Sequence, residues 1–142
     1  MNSLHNIKYS YWILFFAIGL LSCTPRIAYY NDTAYTNAIS LKVETVSLMN
    51  KANTPYQKNQ DEIDAVKMKM LKATEYARWI PNNNETIEQW NMLNDTAGGL
   101  FGNFITFWKQ KDTLGHVYIQ NAIKQNEKAF DKIILLESKK IH

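Results

Sequence analysis

ETIEQWNMLNDTAGGLFGNFITFWKQK, residues 85–111, decides the fold. At helical spacing, Ile87, Trp90, Ala97, Phe101, Phe104 and Trp108 fall in one phase, and Leu93, Leu100 and Phe107 fall beside it. Recurrence at three and four residues places side chains on one face of an α-helix, whereas a strand would need a period of two. Gly98, Gly99 and Gly102 interrupt the stretch, and each costs a helix about 1 kcal/mol relative to alanine. The apolar phase nevertheless runs on unchanged across them, so the spacing predicts one helix over 85–111. A break at the glycines would instead give three long helices with a broken one lying across them.

The flanking sequence supplies three more helices. Over 32–52, Ala38, Leu41, Thr45, Leu48 and Ala52 make one stripe, and Tyr35, Ile39, Val43, Val46 and Met49 make a second. A stripe this wide predicts contact with two neighbours. Over 55–79, Tyr56, Ile63, Val66, Met70, Ala73 and Ala77 hold one face. Pro55 suits a first helical turn, and Thr54 with Gln57 has the spacing of a capping box. Pro81 ends that helix, because proline disfavours helical geometry in the residue before it. Over 116–139, Ile119, Ala122, Ile123, Phe130, Ile133 and Ile134 form a core face, with Asn126 in core phase, either as a register-setting polar core residue or turned to solvent at a bundle end. Four helices joined by loops of a few residues predict an all-α, antiparallel up-down four-helix bundle.

The N-terminus has a different character. Lys8 and the start amine precede an almost unbroken apolar run from Tyr9 to Leu21. A positive start, a short apolar middle and a small residue at its end make a secretory signal. The run is short of the roughly 20 residues that a helix needs to span a bilayer. The run closes on Leu20-Leu21-Ser22-Cys23, which resembles the lipobox of bacterial lipoproteins, with Leu20 three residues before the cysteine and Ser22 just before it. That resemblance implies cleavage before Cys23, diacylation of its sulfur and membrane attachment through the lipid. It divides the chain into a signal peptide at 1–22, the lipidated cysteine and a short tether at 23–33, and a helical domain at 34–142. Thr24-Pro25-Arg26 lacks the aspartate that resembles an inner-membrane retention signal. This points to the outer membrane of a bacterial envelope, with the domain facing the periplasm. Cys23 is the only cysteine of the chain, so no intramolecular disulfide can form.

Composition excludes more than it assigns. The formal charge of +3 falls to +2 without Lys8, and acidic and basic residues alternate along the chain. Nucleic acid would call for a basic stripe, and none is present. Metal chemistry finds only Asp112 and His116, two ligands at best, and no Glu-x-x-His pair of a di-iron bundle. No serine sits in a nucleophile elbow or beside a histidine. We therefore expect no enzyme, no metal and no cofactor. One constellation remains: Trp79, Trp90, Phe101 and Trp108 surround Gly98, Gly99 and Gly102. Rings framing the space left by glycine can hold a partner helix or a small apolar ligand. Alternatively they form an aromatic core in which glycine makes room for the rings. Trp79, beside a helix end, is expected to be the most exposed of them. The function expected from these features is a lipid-anchored, non-enzymatic helical domain that binds another component of the cell envelope.

Overall fold

The computed structural model describes residues 28–95 and 98–140. The signal sequence, the lipobox with Cys23, Ala97 and His142 lie outside the described residues. The described chain is all-helical. It holds five α-helices: α1 (Asp32–Asn50), α2 (Gln60–Trp79), α3 (Asn84–Asn94), α4 (Leu100–Lys111) and α5 (His116–Ser138). None of them is long and apolar enough to cross a membrane.

Helix α1 starts where Asn31, in extended conformation, accepts the Ala34 N–H at 3.0 Å through its side-chain oxygen. It packs against α2 and α5, but only the first stripe is buried throughout; in the second, Met49 is buried while Ile39 and Val43 are exposed. It ends at Asn50, and Lys51–Asn53 tightens into a 3₁₀ turn. The capping box at Thr54 and Gln57 is not formed. The Thr54 hydroxyl donates to Lys51 O at 2.7 Å and accepts from Asn59 Nδ2 at 2.8 Å. Pro55 is extended, with ψ 134°, and a second 3₁₀ turn, Tyr56–Asn59, precedes α2. The reason is local: Asn59 turns its amide back onto Pro55 O at 3.0 Å, and α2 begins only after it.

The stretch at 85–111 is two helices, not one. Asp95 leaves the α-region, with ψ 119°, while its N–H still bonds Asn91 O. Asn94 Nδ2 bonds Thr74 Oγ1 on α2 at 2.6 Å, which fastens the end of α3 to α2. Gly99 is also extended, and its N–H donates to Asp95 O at 2.6 Å. The apolar phase is continuous across this break because both halves turn the same face to one core. Helix α3 packs on α2 and α5, and α4 packs on α5 and the 3₁₀ turn before α2. Between the middle of α2 and the body of α4 the helices stand apart.

The core is contributed by all five helices. Leu48, Met49, Ile63, Met70, Leu93, Trp108, Phe130 and Ile133 are fully buried, and Asn126 takes the core placement of its two alternatives. Three exposed ion pairs fix neighbouring helices in register: Lys42–Asp131 and Lys69–Glu44 from α1 to α5 and α2, and Lys51–Glu62 at the first loop. Each contributes roughly 0–1 kcal/mol, so apolar burial dominates.

Candidate functional site

The gap between α2 and the α3–α4 elbow is a groove with a cavity volume of about 1130 Å³. Met68 and Leu71 of α2 form one wall and Met92 of α3 the other; these three are 52%, 52% and 51% exposed. Phe101 and Ile105 of α4, both buried, form its floor. Asp64, Lys67, Arg78 and Glu88 stand around the apolar centre. Arg78 is held on α2 by Glu75 at 2.7 Å, which keeps its guanidinium at the rim. An apolar floor, adaptable thioether walls and a charged rim of both signs suit an extended amphipathic ligand.

The elbow makes the groove, and Gly99 makes the elbow. A Cβ on Gly99 would lie 2.5 Å from Asp95 O, 2.6 Å from Asp95 N and 2.9 Å from Met92 O. All three are backbone atoms, so no side chain can give way. A Cβ on Gly98 would meet only Asp95 Oδ2, at 3.8 Å. The two neighbouring glycines therefore separate by substitution. Gly99→Ala should destabilise by about 1–3 kcal/mol, as overpacking does, whereas Gly98→Ala should change stability by no more than about 0.5–1 kcal/mol. Urea denaturation of the two variants checks this, and equal midpoints would contradict the geometry.

The structure separates the ring-and-glycine constellation into three places. Gly98, Gly99, Gly102 and Phe101 line the groove. Trp90 and Trp108 lie in the core: Trp90 meets Phe130 edge-on at 5.9 Å, and Trp108 meets Tyr56 edge-on at 5.8 Å. Trp79, on the last turn of α2, is 85% exposed and belongs to neither. Asp112 and His116 do not act together. The Asp112 carboxylate accepts the Tyr56 N–H at 3.1 Å and stays with the turn. Among the described residues no three His, Cys, Asp or Glu side chains gather as metal ligands.

Sequence reasoning missed Met68, Leu71 and Met92. The signal was available in α2, where Met68 and Leu71, three apart, sit outside the core phase of Ile63, Val66 and Met70 and among charges. Apolar residues off the core stripe mark a second apolar face. No protein-family model, no curated protein and no solved structure matches this chain.

Proposed function

We propose that the chain is a lipid-anchored protein of the bacterial envelope, held by acylated Cys23, whose helical domain docks an amphipathic helix of another envelope protein in the α2–α3–α4 groove. We read α3 and α4 as the two halves of the third column of an antiparallel four-helix bundle, bent so that α4 leaves α2. The observation that carries the docking reading is the groove itself, with half-exposed Met68, Leu71 and Met92 over a floor of Phe101 and Ile105. A helix laid in such a groove anchors residues spaced three and four apart. The same cavity can take a small apolar ligand, which is the second reading. Its open, half-exposed walls favour the longer occupant, because small-ligand sites enclose most of their ligand.

Two experiments test this. A photo-crosslinking residue at position 92 should capture a peptide whose apolar residues recur at three and four, and Leu71→Glu should abolish capture while the fold is kept. Equal capture from position 47, exposed on α1 away from the groove, would refute the assignment. Capture of a lipid or another small molecule would favour the second reading. For the anchor, Cys23→Ala should move the protein out of the membrane fraction, because attachment by acyl chains contributes about 0.8 kcal/mol per buried methylene. A variant of mature size that stays in the membrane fraction contradicts lipidation.

A further inference from the structure

Trp79 and Tyr29 are the two most exposed aromatic side chains of the described residues, at 85% and 76%. Neither lies at the groove, and both lie where the chain from Cys23 meets the domain. The Tyr76 hydroxyl donates to Asn31 Oδ1 at 3.1 Å, so the last turns of α2 are tied to the residues that start α1. Trp79 follows Tyr76 by three residues on α2 and so shares its face. Ala28 is already buried. The same end carries the start of α3 and the last turn of α5, joined where the Thr86 hydroxyl donates to Glu137 Oε1 at 2.9 Å.

We propose that this end of the domain is a membrane-interface surface, seating Tyr29, Tyr76 and Trp79 in the headgroup layer of an electrically neutral bilayer face. Three facts converge on it. First, Cys23 and Ala28 are five residues apart, which at full extension is about 18 Å. With its acyl chains in the membrane, Cys23 keeps this end within that distance of the headgroups. Second, three of the four exposed rings among the described residues are here. The fourth, Tyr118, packs on Phe104 and Phe107. Tryptophan and tyrosine pair an apolar ring with a polar atom and settle at the boundary between water and hydrocarbon. Third, the charge of this end is mixed. Asp32 and Glu85 stand against Lys139, Arg78 is paired with Glu75, and Lys140 is buried against Glu137. A surface without a basic cluster gains little from anionic lipid. Ring insertion is therefore the attraction, and it should be insensitive to salt.

The inference rests on the Cys23 anchor, which sets the distance, and one experiment separates the two. The full-length protein, matured in cells, is purified in detergent and reconstituted into phosphatidylcholine vesicles carrying bromine high on the acyl chain. Floatation reports the anchor. Tryptophan fluorescence reports the surface, because Trp90 and Trp108 are buried and Trp79→Phe isolates the contribution of Trp79. We expect the wild type to float, with a lipid-quenched, blue-shifted component that Trp79→Phe lacks and that high salt leaves unchanged. If the wild type does not float, the anchor and this inference both fall. If it floats but Trp79 stays open to aqueous acrylamide, the anchor stands and the interface is refuted. Shielding only on anionic vesicles, lost in salt, refutes the neutral-surface assignment. Shielding only in native membranes, and not in pure lipid, assigns the rings to a protein partner instead.

Discussion

Lys140→Met should lower the stability of the domain by about 3–5 kcal/mol, the cost of leaving a buried carboxylate without its cation. Glu137 is fully buried and Lys140 is 5% exposed, and the two form an ion pair one turn apart at the end of α5. The carboxylate has one further partner, the Thr86 hydroxyl on α3. Its second oxygen, Oε2, has no hydrogen-bond partner among the described residues. The ammonium therefore carries most of the compensation, and among the described residues no other cation pairs with Glu137. Replacing both residues, Glu137→Met with Lys140→Met, should restore stability to the wild-type level or raise it by about 1–4 kcal/mol, because the desolvation cost disappears with the charges. Urea denaturation of the three proteins checks this. A single variant within about 1 kcal/mol of wild type would mean that water reaches the pair.

Neither member of that pair announced itself in the sequence. Glu137-Ser138-Lys139-Lys140 reads as a polar helix end, yet Glu137 and Lys140 are buried where Thr86 of α3 meets the Glu137 carboxylate. The apolar stripes were legible in a way this was not. Ala38, Leu41 and Leu48, Ile63, Val66 and Met70, and Ile119, Ile123 and Ile133 are buried as their spacing predicts. Period reports which face meets the core, and that is a property of each helix alone. It does not report whether the backbone hydrogen-bond ladder is continuous. Residues 85–111 therefore looked like one helix, although the chain leaves helical geometry at Asp95 and resumes at Leu100. The glycines were visible, but the role of Gly99 depends on where the Asp95 carbonyl lies, which is set by tertiary contacts of α3. The candidate site was half legible for the same reason. Its glycines and Phe101 stood out by composition, while Met68, Leu71 and Met92 matter only because α4 turns away from α2 above them.

Trp108→Ala should cost about 3–5 kcal/mol, the range for truncating a large buried ring, and Trp108→Phe should cost less, about 1–3 kcal/mol, because a phenyl ring keeps most of the buried apolar volume while the donor and part of the indole are lost. Trp108 is fully buried, touching Tyr56 edge-on at 5.8 Å and Phe104 at 6.2 Å. Its indole N–H is shared between Thr54 O at 3.0 Å and Asp112 O at 3.1 Å. It thereby joins the loop before α2 to the loop after α4. The same two loops exchange backbone bonds, from Tyr56 N to Asp112 O at 2.9 Å and from Leu114 N to Ala52 O at 2.7 Å. Asp112 sits at φ 62°, a conformation disfavoured without glycine, and this network holds it there. Losing the indole N–H should release the Tyr56 and Leu114 amides to hydrogen exchange while the Thr86–Glu137 end stays protected. The effect should reach the groove, because Trp108 fixes the far end of α4 and Ile105, one turn before it, floors the cavity. Trp108→Phe should therefore weaken capture at position 92 without moving the membrane contact of Trp79. Loss of both together would mean that the domain unfolds as one unit when this corner opens.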